Sequence, residues 1–459
     1  MIDPLNPMVA SYPSGFRLRR FRNWFFLGLL YAGFYLCRYN LSTVTPEIAR
    51  EFDLTNQQTG WMSTGRDFGY MIGTFINGLF ADALGGKLAM SIGAISTIFF
   101  NLAFGYFSTW GLDVAVLVAG FALIRTLDGY GQSFGSPGMV KINTAWFRRS
   151  ERGTFAGIFG FMIQMGQTGV TQLSRLMLVG GPVVLAGITL VVLPRVDWRS
   201  MFIIPPIMLA VLLVCMWLNV KNNPEQAGYP MVHDDAAADQ PTPPRLPLSV
   251  VFARIASNPL IWLNAGAYLC TGFVRRAYDY WWAKYLDNAW GIGKDSAEYY
   301  WLGVWLLPMA AVVGSFGAGF LSDKFFASRR SPVAAALYGL ETLVILGAVY
   351  MLTHPEHASP FLACVFLTLI SLTCNSSHSI IGTAAVMDIG GRQMAGFALG
   401  VVNSFQYLGA MLAGWMLGRL IDTYGWTALF VAMLPFSAFG ALVMAGVWLS
   451  TRGRDVKGA

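Results

Sequence analysis

Long apolar stretches alternate with short polar breaks along almost the whole chain, each long enough to cross a bilayer at about 20 residues. Twelve are read, near 23–44, 59–81, 87–109, 113–139, 152–174, 199–219, 258–286, 299–321, 332–353, 360–387, 393–418 and 425–449. Each predicts a membrane-spanning helix. The longest polar break includes the acidic, Ala- and Pro-rich run from His233 to Pro244, which has too little apolar surface to form a core. It predicts a flexible linker over 221–256, between six-helix bundles at 1–220 and 257–450, with a tail at 451–459. The expected fold is therefore an all-α membrane protein of twelve helices in two halves.

Composition agrees with that pattern. Of 459 residues, 55% are hydrophobic and 12% charged, whereas a soluble domain carries about 25% charged residues. The first apolar run is too long for a signal peptide and no small-residue cleavage site follows it, so it is read as a retained span. Basic residues concentrate on one set of segments: Arg17, Arg19, Arg20 and Arg22, then Lys87, the 148–152 loop, the linker, 324–330, Arg392 and the C-terminus. That bias places both termini in the cytoplasm of a bacterial-type inner membrane. The net charge of +7 is thus a topology signal, and its scatter among short loops excludes a nucleic-acid surface. The five cysteines fall at irregular spacing within apolar runs, which excludes a disulfide framework and a metal site. No nucleophile with its base stands out, so neither an enzyme nor a cofactor is expected. A monomer among membrane lipids is.

The halves are internally related. Gly78-Leu-Phe-Ala-Asp82, followed by Lys87, recurs as Gly319-Phe-Leu-Ser-Asp323, and Arg152 with Gly157 recurs as Arg392 with Gly396, both at a spacing of about 240 residues. This duplication puts a solute site near the bilayer midplane, where the repeats face each other. The Gly-x-x-x-Asp turn resembles the loop signature of the major facilitator superfamily. Asp82, Lys87, Asp323, Arg152 and Arg392 are expected at the gate.

Charges inside the spans carry the chemistry, because an unpaired one costs roughly 2.5–3.5 kcal/mol at a helix centre. Arg38 and Arg275 lie at matching depths in spans one and seven, near the midplane. Two guanidiniums facing one cavity repel unless an oxygen-rich anion lies between them, and a phosphate group suits their paired donors. Tyr31 and Tyr35 share a helix face with Arg38, and Tyr70 is a further candidate. Asp279 lies a turn beyond Arg275 and Arg276 and is expected to neutralise Arg276 as the structural arginine. Arg66–Asp67 and Arg125–Asp128 read as local ion pairs, with proton carriage as the other use; His378 is either a polar wall residue or a proton carrier.

Beyond these positions, Tyr31-Ala-Gly-Phe-Tyr35-Leu-Cys-Arg38 resembles the first helix of the organophosphate:phosphate antiporter family. The resemblance continues through Trp146-Phe-Arg-Arg-Ser-Glu-Arg152, Asn223-Pro-Glu-Gln-Ala-Gly228, Arg275 with Trp281-Trp-Ala-Lys-Tyr285, and Tyr407-Leu-Gly, covering nearly the whole chain. It implies that Arg38 and Arg275 bind a phosphoryl group, with Tyr31, Tyr35, Tyr70 and Tyr407 around it. It also implies that phosphate leaves as organophosphate enters. The chain departs from the family where Gln164 stands in a region that usually holds a span-five histidine. Further departures are Thr74, Gly272, Ser376 and His378, and a longer connection between spans five and six. A proton-coupled symporter of another organic anion and a non-transporting sugar-phosphate sensor are the alternatives.

Overall fold

The computed structural model describes residues 13–147, 149–185, 188–230, 248–326, 330–354 and 356–451, without the side chains at 78–79, 81–82, 149–159, 182–185, 188–191, 248–249, 251–252, 321, 323, 383–399 and 451. In the first half lie α1 (Phe16–Glu51), α2 (Asn56–Leu84), α3 (Gly86–Phe107), α4 (Val114–Gln132), α5 (Gly135–Trp146), α6 (Arg149–Val179) and α7 (Ile204–Asn219). In the second lie α8 (Leu248–Ala256), α9 (Pro259–Trp290), α10 (Ala297–Tyr299), α11 (Leu307–Phe325), α12 (Arg330–Thr353), α13 (Pro360–Ser379), α14 (Val386–Tyr424), α15 (Thr427–Val431) and α16 (Met433–Thr451). π-helical turns at Tyr300–Leu306 and Ile380–Ala385 join α10 to α11 and α13 to α14. Helix starts follow local chemistry. The side chains of Asp113, Asn258 and Ser359 accept the first free N–H groups of α4, α9 and α13, and proline opens α9 and α13.

Two features differ from the sequence reading. The long connection after α6 is an antiparallel hairpin of β1 (Gly181–Leu185) and β2 (Ile188–Leu193), with a bulge between Val183 and Val184. Its β-branched run pairs strands because the left-handed Gly180 and Gly181 stop α6 just before it. The expected linker is helical at its end, in α8, while residues 231–247 lie outside the described residues.

Among the described residues, seven helical stretches are apolar and long enough to cross a membrane by composition alone, including α3, the α4–α5 stretch, α12 and α13. The long helices α1, α2, α6, α9 and α14 do not meet that test; α1, α2 and α9 carry the buried Arg38, Arg66 with Asp67, and Asp279 beside Arg275 and Arg276. The halves meet along these same helices, with α2 against α14, α1 against α9, and α6 against α11. Gly60 and Gly414 let α2 and α14 touch backbone to backbone, since a Cβ on Gly60 would stand 2.4 Å from the Gly414 carbonyl oxygen.

At the end away from the chain termini, this seam is closed. Lys294 Nζ donates to Glu47 Oε1 at 2.5 Å, Arg50 lies 3.7 Å from Asp287, and Trp61 stacks on Trp415 at 5.5 Å. The Asp422 carboxylate, at the end of α14, accepts the backbone N–H groups of Asn56 and Gln57 at 2.9 and 2.8 Å. A residue of the second half therefore caps the first turn of a helix in the first. Replacing Asp422 with Ala should cost about 0.5–2 kcal/mol, the usual loss on removing a cap, and Asp422→Asn less. Thermal unfolding in detergent measures this, and an unchanged midpoint in Asp422→Ala would contradict the shared cap.

Candidate anion site

Three positions on one face of α1 build the first part of the site. Tyr31, Tyr35 and Arg38 are all buried, and a file of rings runs along the helix, with Tyr31 to Tyr35 at 5.7 Å and Tyr35 to Tyr39 at 5.8 Å. The Arg38 guanidinium lies over the Tyr35 and Tyr70 rings, 4.6 and 4.7 Å from their centroids. Its Nε donates to Gln132 Oε1 at 2.5 Å. The fork is thus clamped by two rings and at its inner edge, and among the described residues no carboxylate pairs with it. Tyr70 in turn packs against Tyr407 of α14, ring centroids 4.7 Å apart, so the wall is shared by both halves.

Arg275, on α9, is held differently. Its Nη1 lies 3.0 Å from His378 Nε2, and its Nε lies 3.7 Å from Asp279 Oδ2. The Asp279 carboxylate also accepts the Tyr39 hydroxyl at 3.1 Å and the Gln167 amide at 3.4 Å, both from the first half. The two arginines are therefore joined through Tyr35, Tyr39 and Asp279, on a path that crosses the seam.

Arg66, Arg125 and Arg276 pair with carboxylates, and one pairing corrects the sequence expectation. Arg276 donates to Asp67 Oδ1 on α2 at 2.6 Å, not to Asp279. The same oxygen accepts from Arg66 at 2.5 Å. Helix spacing alone allowed either arginine to reach Asp279, but the rotation of α9 turns Arg276 toward α2 and leaves Asp279 with Arg275. Arg125 and Asp128 pair within α4 at 3.1 Å, as their spacing predicts.

Other expected residues scatter. Gln164 is half-buried, its Oε1 has no hydrogen-bond partner, and Gln167 reaches Asp279 instead. Lys87 donates to the Trp217 carbonyl at 2.7 Å, tying α3 to α7 within the first half. The side chains of Asp82, Asp323, Arg152 and Arg392 lie outside the described residues. The departures from the family pattern have structural uses. Thr74 bonds the Tyr70 carbonyl of its own helix, and Ser376 bonds the Gly314 carbonyl of α11. A Cβ on Gly272 would lie 1.9 Å from the Gln406 carbonyl oxygen, so α9 and α14 can touch there only at a glycine. A cavity of about 560 Å³ lies at the closed end, lined in part by Glu47, Arg50, Arg195, Asp287 and Lys294, away from Arg38 and Arg275.

Sequence reading passed over Gln132, Gln167, Tyr39 and Tyr268. Two left a signal. Gln132 follows Arg125 and Asp128 at helical spacing on α4, and Tyr268 precedes Arg275 by the same interval that separates Tyr31 from Arg38.

Residues 27–340 match the family model described as Major Facilitator Superfamily. The membrane sensor protein UhpC of Escherichia coli is 26% identical over 446 residues, covering 95% of this chain and 94% of that protein. The glycerol-3-phosphate transporter of Bacillus subtilis is 24% identical, covering 94% and 93%. A probable hexose phosphate transport protein of Chlamydia pneumoniae is also 24% identical, covering 94% and 92%. These relatives are consistent with the resemblance read from the sequence. Among solved structures, an inward-facing, unoccupied bacterial homolog of the human lysosomal transporter Spinster superposes with a TM-score of 0.72 at 17% identity, covering 95% of this chain and 97% of that one. A D-xylose-proton symporter does so at 0.68 and 16%, covering 95% and 98%.

The Asp67 pairing makes a stability prediction. Asp67→Ala strands Arg66 and Arg276 without their shared carboxylate and should cost about 3–5 kcal/mol, the range for breaking a buried ion pair. Adding Arg276→Leu should recover part of that loss in thermal unfolding followed by tryptophan fluorescence.

Proposed function

The chain belongs to the Major Facilitator Superfamily, a family of membrane transporters rather than enzymes, and from that premise we propose that it exchanges a phosphorylated small metabolite for inorganic phosphate by alternating access. In this reading the chain spans a bacterial inner membrane twelve times, as a monomer with both termini in the cytoplasm. Arg38 and Arg275 grip the anion between the halves, and Tyr31, Tyr35, Tyr70 and Tyr407 form the wall, with Gln164 and His378 at its edge. Asp82, Lys87, Asp323, Arg152 and Arg392 serve the gate at the termini.

The observation that carries the reading is the way Arg38 is held. Gln132 occupies its Nε and two tyrosine rings cover its faces, so the fork is pre-organised to offer its terminal nitrogens to an oxyanion. The charge balance supports a divalent ligand. Arg38, Arg66, Arg125, Arg275 and Arg276 face Asp67, Asp128 and Asp279, which leaves two guanidiniums in excess. Relatives named as glycerol-3-phosphate and hexose phosphate transporters support a phosphorylated substrate.

A second reading has one specific support, the relative named as a membrane sensor. In it the same site binds a sugar phosphate and signals without moving it. Reconstitution separates the two. Phosphate-loaded vesicles should accelerate entry of labelled glycerol phosphate or hexose phosphate if the chain is an exchanger, while binding without accumulation would favour the sensor. Arg38→Lys and Arg275→Lys should each weaken binding by about 1.5–3 kcal/mol, roughly 10- to 150-fold, because lysine keeps the charge but loses the fork. Undiminished binding in both variants would refute the guanidinium clamp.

A further inference from the structure

The groups around His378 make one demand that the exchange reading does not use. Its ring stacks on Tyr268, 5.3 Å between centroids at 22°. Its Nδ1 lies 2.9 Å from the Tyr268 hydroxyl and its Nε2 lies 3.0 Å from Arg275 Nη1. A guanidinium can only donate, so Nε2 is the acceptor. The ring is therefore neutral, with its hydrogen on Nδ1 donated to the Tyr268 oxygen. An imidazolium has donors on both nitrogens and cannot make the Arg275 contact.

Given the anion site described above, on which this inference rests, we propose that anion binding loads a proton onto His378 Nε2. When an oxyanion takes Arg275 Nη1, the Nε2 lone pair loses its donor and faces negatively charged oxygens. Stacking on Tyr268 and the Nδ1 hydrogen bond keep the ring from turning away. A proton taken from a solvent acid forms an N–H bond at Nε2, the imidazole becomes an imidazolium, and the repelling acceptor becomes a donor to the anion. The acid leaves as its conjugate base, and nothing is oxidised or reduced.

The titratable and charged neighbours permit this. From α9 the ring faces Arg275 and Tyr268, with Asp279 behind Arg275; Cys374 lies one turn earlier on α13, and Tyr35 of α1 stands near Tyr268 and Arg275. Asp279 already bonds Tyr39 and Gln167. It stays with Arg275 as the arginine's terminal nitrogen swings to the ligand. Binding of an anion of fixed charge should strengthen by up to tenfold for each pH unit lowered, while the empty site's histidine remains neutral.

The test is calorimetry of inorganic phosphate binding to the purified full-length protein, in buffers of different ionisation enthalpy, for wild type and His378→Gln. The phosphate's own titration cancels in the difference. Wild type should take up more protons per bound anion than the variant, by up to one. Equal counts in two binding-competent proteins would overturn the linkage alone, whereas absence of phosphate binding to wild type would overturn the anion site and the linkage with it. A direct readout leaves the site unaltered. The chain has four histidines, so a His233→Asn, His354→Asn, His357→Asn variant leaves His378 alone for nitrogen-15 NMR. Its ring should pass from the Nδ1–H neutral form to imidazolium on phosphate addition; a ring neutral throughout would refute the proposal.

Discussion

A charge removed from water must find a partner, and that requirement dictates how the two halves of this protein face one another. Asp67 is fully buried and cannot remain ionised alone; Arg66 supplies one partner from its own helix and Arg276 the other from across the seam. Asp279 does the same in the opposite direction, receiving Tyr39 and Gln167 from the first half. Hydrophobic burial cannot specify such pairings inside a bilayer, because lipid tails are as apolar as leucine. Close glycine contacts bring the helices within reach, and the charges then select the rotation.

The sequence made the scaffold legible because its signals are redundant. Apolar runs repeat, the loop motifs repeat, and Arg38 and Arg275 share one depth. The tyrosine file on α1 could be read from helical spacing, and the structure brings Tyr31, Tyr35, Tyr70 and Tyr407 together around Arg38. Arg276 was misread because the i+3 and i+4 rule sees only partners on one helix, while Asp67 lies 209 residues away in the chain. Gln132 and Gln167 were missed for a different reason. A neutral amide carries no insertion penalty large enough to mark it out in an apolar run. The hairpin between α6 and α7 had a visible signature in its double glycine and β-branched run, but expectation of a purely helical chain hid it.

Three of the departures from the family pattern, Gly272, Ser376 and His378, lie in the second half. Gly272 admits the Gln406 carbonyl, which brings α14 against α9. On α13, Ser376 bonds the Gly314 carbonyl of α11, and His378 is the side chain that meets Arg275. The second half thus surrounds its arginine with a histidine and a carboxylate, while the first half surrounds its own with rings and an amide. One repeat holds its guanidinium among neutral groups; the other holds its own between a histidine and a carboxylate.

The cap that Asp422 places on α2 ties the two halves through one carboxylate. Without contact between the halves at that end, the first turn of a 29-residue helix would lose its anionic partner and turn to water. The start of α2 is thus set in part by a carboxylate 366 residues away in the chain, so its local stability is tied to contact between the halves.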